Sequence, residues 1–504
     1  MTDKQHPEEH PVNDIGDDHV LAHDVDEEPV EANRRLFEGG MLKFVTLLAI
    51  AYSSFHLYSL NIAPLETWSF RIVHIAGALV LGFILFAGAR FVSAEDGPAR
   101  HRWTTWIGAV ALVPALYALY QTFSFHQMIL DGTQRVPVDL ETWHFGWPLL
   151  AASAIGIVMS WFHQRERSRF SVPDLVLIVC SVAVAAYFLV VYNTSMRMST
   201  GTSFAPVGIS FAAIAGTALI MELTRRVAGL ALVIIGLVFL VYVFLGPYLP
   251  GFLGYPGLSV QRFFSQVYTD AGILGPTTAV SSTYIILFIV FAAFLQASKV
   301  GDYFVNFAFA AAGRTRGGPA KVSIFASGLM GMINGTSAGN VVSTGSLTIP
   351  LMKKVGYSKR SAGAVEAAAA TGGQIMPPIM GAGAFIMAEI TGIPYTEIAI
   401  AAIIPAILYF ASVYFMVDFE AAKTGMRGMR EDELPKLKTM VKQCYLFVPI
   451  IILIVALFMG YSVIRAGTLA TVSAAVVSWF SPNKMGIRKI LEALEIASYM
   501  AIQI

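Results

Sequence analysis

The sequence predicts an all-α polytopic membrane protein, and three observations predict it. The 504 residues are 56% hydrophobic and only 13% charged, whereas soluble domains are about a quarter charged. Apolar runs of about 20 residues, the length that crosses a hydrocarbon core, recur along the chain. The linkers between them are alternately rich and poor in Lys and Arg, as the positive-inside rule requires of a chain threading a bilayer. The net charge of +1 supplies no global field for nucleic acid, so the expected surroundings are membrane lipid and not a polynucleotide.

Residues 1–33 carry eleven acidic residues against one lysine, Lys4. Little there could form a core, so residues 1–40 read as an acidic disordered tail. Its histidines, His6, His10, His19 and His23, could bind metal, but a solvated tail accounts for them as well. The first apolar run follows Arg34, Arg35 and Lys43, which predicts an uncleaved anchor with a cytoplasmic N-terminus. Cys180 and Cys444 are far apart, and no His or Cys ligand spacing occurs, so neither a disulfide framework nor a transition-metal site is expected.

Spans are predicted near 42–61, 73–91, 103–121 and 146–162. Arg90, Arg100 and Arg102 follow the second, and Arg165, Arg167 and Arg169 the fourth, which puts both ends of this four-helix module (41–170) in the cytoplasm. The polar stretch HQRERSRFSVPD (163–174) reads as a linker into a second module, 171–504. That module continues with spans near 174–193, 204–222 and 228–248 and a Gly/Pro-rich outer loop at 247–257. An amphipathic segment at 258–268 follows, placed in the interface, and then a span at 275–297. After a cytoplasmic loop at 418–442 come spans near 443–463 and 466–480 and a second amphipathic segment at 485–500.

Between Lys321 and Lys353 lie 31 apolar or small residues with basic residues at both ends. A straight helix of that length, at about 1.5 Å per residue, would overrun a core of roughly 30 Å. The reading is a re-entrant hairpin over 322–352 that turns at NGTSAGN (334–340) near the membrane midplane. Three chemistries compete for that turn. Gly335-Thr336-Ser337-Ala338-Gly339 matches the serine-hydrolase elbow. The elbow needs a preceding strand and a later histidine, and no histidine follows His163, so no enzyme is expected. Gly331, Gly335 and Gly339 fit small-residue helix packing. That leaves Asn334 and Asn340 unexplained, because buried amides are costly without partners. The third reading is a site for a hard monovalent cation such as Na⁺, built from carbonyls, amides and hydroxyls freed where the helix breaks.

The next segment, 361–390, strengthens the third reading. An Ala-rich helix is interrupted by Thr371-Gly372-Gly373-Gln374 and by Pro377-Pro378, then resumes. Two prolines in a row break the hydrogen-bond ladder, although a bare proline kink remains the bland account. Glu366 and Glu389 flank the break as intramembrane carboxylates.

Over 312–390 (AGRTRGGPAKVSIFASGLMGMINGTSAGNVVSTGSLTIPLMKKVGYSKRSAGAVEAAAATGGQIMPPIMGAGAFIMAEI) the chain closely resembles the large membrane subunit of tripartite ATP-independent periplasmic (TRAP) transporters. Its motifs are similar to those of fused permeases served by TAXI-type binding proteins, and residues 41–170 resemble the family's small membrane subunit. The resemblance implies an elevator-type secondary transporter in the bacterial inner membrane. It would take up an organic acid, typically a carboxylate, from a periplasmic binding protein, with Na⁺ as coupling ion and no other cofactor. It implies a Na⁺ site lined by Asn334, Thr336, Ser337, Gly339, Asn340, Thr371 and Gly373. Substrate contacts would come from Ser343, Thr344, Gln374, Pro377 and Pro378. The family carries two inverted repeats, each with a hairpin and a broken helix; only the first is in this sequence, which therefore looks truncated at the C-terminus. The alternative reading is a non-transporting scaffold or assembly subunit, or an inactive fragment.

Overall fold

The computed structural model describes residues 33–89, 91, 102–163, 167–192, 200, 202, 205–335 and 337–503. Most of the acidic N-terminal stretch, with Arg90, Arg100 and Arg165, lies outside the described residues. Nine helices among those described are long and apolar enough to cross a membrane.

The first four are α1 (Gly39–Asn61), α2 (Thr67–Leu85), α3 (Arg102–Leu130) and α4 (Trp147–Phe162), the last entered through a π-helical stretch at Leu140–Gly146. α2 begins six residues before its expected start because the Glu66 carboxylate caps it, accepting from the Ser69 amide at 3.2 Å. Next come α5 (Val172–Ala186), continued by a π-helical turn at Tyr187–Val191, and α6 (Val207–Val227). Ser171 caps α5 by accepting from the Asp174 amide. Gly229, at φ +87, then turns the chain into α7 (Leu230–Leu245). α7 is apolar on every side and almost wholly exposed, as a helix facing hydrocarbon would be.

The short α8 (Val260–Val267) falls on the expected amphipathic segment. One long span follows as α9 (Pro276–Val280), a π-helical turn at Ser281–Ile285 and α10 (Ile286–Ala297). α11 (Val300–Ala312) is a helix that the sequence reading passed over. The hairpin legs are α12 (Gly318–Asn334) and α13 (Ser337–Lys354). The broken helix is α14 (Lys359–Gly372), a 3₁₀ turn at Gly373–Ile375 and α15 (Ala382–Thr391). α16 (Tyr395–Thr424) runs on past residue 418, so the loop expected from 418 begins only at Gly425. The short α17 (Leu437–Lys442) follows. The regions expected as spans near 443–463 and 466–480 are the shorter helices α18 (Val448–Phe458) and α19 (Val463–Ser478), reversed at Gly460, φ +83. Last is α20 (Ile487–Gln503).

The boundary expected at 170 is not a gap in packing. One core takes Trp68, Phe83, Phe125 and Phe145 from before it and Leu177, Tyr187, Phe188 and Leu219 from after it. Below that core a buried ionic knot joins the same parts. Asp174 pairs with Arg35 and, at 2.7 Å, with Arg226; Arg226 also donates to Glu222 at 2.8 Å. Both guanidiniums further donate to the carbonyls that end α2, those of Phe83 and Ile84 for Arg35 and of Phe86 for Arg226. A second core gathers α10, α11, α12, α18, α19 and α20. α20 is amphipathic, yet it does not only rest at an interface. Its Ser498 donates to the Ala49 carbonyl of α1, and Ser53 of α1 donates to the Leu494 carbonyl.

Candidate functional site

Two interruptions of helix meet here. α12 ends at Gly335, whose φ of +62 is a left-handed geometry that glycine adopts without strain. α13 starts again at Ser337. The tip rests on the break of the other element, since a Cβ on Gly335 would lie 2.7 Å from the Met380 carbonyl. One turn back, a Cβ on Gly331 would lie 2.3 Å from the Gly373 Cα. Two of the three glycines that the sequence offered for helix packing, Gly331 and Gly335, thus seat the hairpin on the broken helix, backbone against backbone. Gly381, the N-cap residue of α15, comes close enough that its Cβ would lie 3.5 Å from the Gly335 carbonyl. The turn that leads into α13 therefore lies against the residue that opens α15, and the first turn of each helix has amides without an intrahelical partner.

Asn340 is the centre of the contact. It is fully buried. Its Nδ2 donates to the Ser327 carbonyl of α12 at 2.9 Å and to the Ala370 carbonyl of α14 at 3.4 Å. Because carbonyls only accept, these two contacts fix which end of the amide is nitrogen. The other end, Oδ1, is buried with no hydrogen-bond partner in the protein. An orphaned buried acceptor costs about 1–3 kcal/mol and is what a hard cation or a water would satisfy.

Below Asn340 the two legs carry hydroxyls one helical turn apart: Ser323 and Ser327 on α12, Thr344 and Thr348 on α13. They converge on Glu366 of α14, which is fully buried. Ser323 donates to its Oε2 at 2.7 Å, Thr348 donates to the same oxygen, and Thr344 donates to Oε1. Thr344 also lies 3.2 Å from the Ser327 hydroxyl and 2.9 Å from the Asn340 carbonyl. Gly345 makes room for the carboxyl; a Cβ there would lie 2.9 Å from Glu366 Cγ.

Of the residues expected to hold an ion or substrate, Asn340, Gly373 and Thr344 come together, with Ser337 and Gly339 on the first turn of α13. Thr336 and the side chain of Asn334 lie outside the described residues. Thr371 is not brought to Asn340: its side chain is exposed and its hydroxyl donates to the Ala367 carbonyl at 2.7 Å. Ser343 donates back to Gly339 at 2.8 Å. Gln374 is exposed, and its carbonyl accepts from the Gly381 amide at 2.7 Å, closing the break. Pro377 and Pro378 shape that loop, and the Pro378 carbonyl accepts from the Tyr395 hydroxyl at 2.8 Å. The flanking carboxylates part company, Glu366 buried and Glu389 exposed. The sequence reading left out Ser323, Ser327 and Thr348 and kept Glu366 only as a flank. The signal was present as four-residue spacing, Ser323/Ser327 and Asn340/Thr344/Thr348, which puts each set on one helix face.

Comparison with known proteins adds three findings. Residues 215–504, more than half of the chain, match the family described as "Tripartite ATP-independent periplasmic transporter, DctM component". The chain is 25% identical over 176 residues to an uncharacterized protein of Sinorhizobium fredii, covering 34% of this chain and 39% of that protein. It is 37% identical over 91 residues to the C4-dicarboxylate TRAP transporter large permease protein DctM of Vibrio cholerae, covering 18% of this chain and 20% of that protein. The matched stretches thus span well under half the length of either curated relative.

Proposed function

The chain belongs to the DctM component family of tripartite ATP-independent periplasmic transporters, a multi-pass membrane protein of a transport system, and on that premise we propose that it is a cation-coupled permease for an organic acid. The observation that carries the proposal is the Asn340 Oδ1, a buried carbonyl oxygen without a partner where a helical hairpin meets a broken helix. Carbonyl and hydroxyl oxygens without thiolate or imidazole suit Na⁺ over a transition metal. The ion would be held by Asn340 with Ser337, Gly339 and Gly373 and, from the tip, Asn334 and Thr336. Thr371 would reach it only by leaving the Ala367 carbonyl.

The helix starts that follow the turn and the break, those of α13 and α15, suit an anionic substrate group. The substrate in the name of the Vibrio cholerae relative, a C4-dicarboxylate, is of that class. Ser343 and Thr344 of α13, with Gln374, Pro377 and Pro378 of the break, would contact the substrate. Delivery would come from a periplasmic binding protein of TAXI type. Residues 41–170 would serve as a fused small subunit, in an inner-membrane protein with a cytoplasmic N-terminus that works by an elevator motion.

The test is uptake into proteoliposomes with the cognate binding protein. Accumulation of a labelled dicarboxylate that requires an inward Na⁺ gradient is the expected result, and accumulation indifferent to Na⁺ overturns the coupling. Asn340→Ala is expected to raise the Na⁺ concentration needed for half-maximal uptake; an unchanged Na⁺ requirement removes Asn340 from the site.

A further inference from the structure

Glu366 has no role in the reading above, yet its carboxyl on α14 is the group on which the hydroxyls of the hairpin converge. It is buried completely, and among the described residues no Lys, Arg or His side chain pairs with it. An uncompensated buried carboxylate is expensive, so a proton or a bound cation must neutralise it.

Its surroundings suit both. α12 presents the hydroxyls of Ser323 and Ser327, and α13 those of Thr344 and Thr348. From α16, Tyr409 donates to the Ala368 carbonyl, and Asp418 is engaged by Lys321 of α12 at 2.6 Å. Lys354 of α13 pairs with Glu433, and Lys353, Lys359 and Arg360 are exposed at the far ends of their helices. Among the described residues, the side chains that hydrogen-bond Glu366 are thus all hydroxyls. A hydroxyl can donate to an ionised carboxylate or turn and accept from a protonated one. A shell of N–H donors would hold the ionised form alone.

The second feature is the link to Asn340. The Thr344 hydroxyl has one hydrogen and two acceptors, the Asn340 carbonyl at 2.9 Å and Glu366 Oε1. When Glu366 is ionised, that hydrogen belongs to the carboxylate and the Asn340 main-chain carbonyl keeps only its helix hydrogen bond. When Glu366 is protonated, Thr344 can donate to Asn340 and accept from the acid.

We propose that Glu366 is a proton-exchanging carboxyl that gives up its proton when a monovalent cation binds beside Asn340, with Thr344 as the hydroxyl shared between the two. The proton leaves to water as the cation arrives, so the charge of the buried site is the same before and after. The exchange rests on the cation-site reading given above, and the two fail separately in the following measurement.

The purified 504-residue chain in detergent is melted in NaCl against choline chloride at constant ionic strength, from mildly acidic to mildly alkaline buffer. The expected result is an apparent Na⁺ affinity that rises with pH, by up to about tenfold per pH unit if one proton is released per ion. In Glu366→Gln, which mimics the protonated acid, the affinity is expected to be weaker and flat with pH. Na⁺ binding that does not vary with pH in the wild type, or a Glu366→Gln variant that keeps the wild-type slope, overturns the exchange and leaves the cation site standing. No stabilisation by Na⁺ at any pH overturns the site and the exchange with it. If Glu366→Gln does not fold, the wild-type infrared difference spectrum decides. Na⁺ should remove a protonated-carboxyl C=O band and add carboxylate bands, and Na⁺ binding without that change overturns the proposal.

Discussion

At Gly331 the hairpin has no room for even a methyl group. A Cβ there would lie 2.3 Å from the Gly373 Cα, against backbone that cannot swing aside. Gly331→Ala is therefore expected to cost about 1–3 kcal/mol by overpacking. Gly363, inside α14 with nothing within 4 Å of its Cβ position, is the contrast. Gly363→Ala is expected to stabilise by roughly 0.5–1 kcal/mol, the ordinary helix preference for alanine. Thermal unfolding of both variants in detergent checks the pair, and a Gly331→Ala protein as stable as the wild type would show that the hairpin does not sit on the 3₁₀ turn. Gly331 stands in a small-residue pattern and Gly363 in an Ala-rich helix, and neither setting says whether a methyl group would be tolerated. Only the neighbour across the interface separates a glycine that is required from one that is merely tolerated.

At the scale of elements, the hairpin is held at its two ends by different means. The tip is seated by glycine contacts and the Asn340 amide. The basic ends of α12 and α13 are clasped by ion pairs to the end of α16 and the loop after it. Lys321 is buried, lies over the Tyr414 ring at 4.7 Å and pairs with Asp418 at 2.6 Å; Arg316 pairs with the same carboxylate. Arg314–Glu431, by contrast, is exposed on both sides. Asp418→Asn strands a buried ammonium, whereas Glu431→Gln removes a solvated pair of little worth. The expected order is a clear drop in the unfolding midpoint for Asp418→Asn and little change for Glu431→Gln. Equal effects of the two would show that Lys321 finds another partner or solvent. The sequence marked Lys321 only as a positive charge at a membrane edge, because its partner is 97 residues away in the chain.

Across the whole molecule, the four helices before residue 170 and the helices after it share one core and one ionic knot. Asp174 stands between Arg35 and Arg226 with all three buried. Asp174→Asn leaves the buried Arg35 guanidinium without a counter-charge and Arg226 with Glu222 alone, a loss on the order of 3–5 kcal/mol. Limited proteolysis should then release a fragment cut near the 163–174 linker; a variant as stable and as protease-resistant as the wild type would show that the apolar core alone joins the two parts. Membrane depth is checked by labelling with an impermeant maleimide in a Cys444→Ala background, since Cys180 is buried and Cys444 exposed. Tyr248→Cys, at a position 83% exposed, is expected to react from outside, and Ser337→Cys is expected to react far more slowly. Equal rates would make the 334–340 turn an ordinary outer loop and end the re-entrant reading.

What the sequence determined by itself was the class of fold, the order of most apolar helices, and the hairpin and broken helix as interruptions. These are local properties: the length of an apolar run, the placement of basic residues, and the inability of Gly and Pro to continue a helix. Even here local reading faltered where a cap moved α2 or a reversal at Gly460 shortened α18 and α19. What only the tertiary structure decided was which polar groups face each other. Thr371 and Gln374 looked equal to Asn340 as freed groups at a break, and the fold turned them outward. Glu366 looked like a flanking charge, and the fold placed it under four hydroxyls from two other helices. The reason is physical. A helix sets the face of each side chain within its own turn, but the burial of a polar group and its partner depend on the helix packed against it.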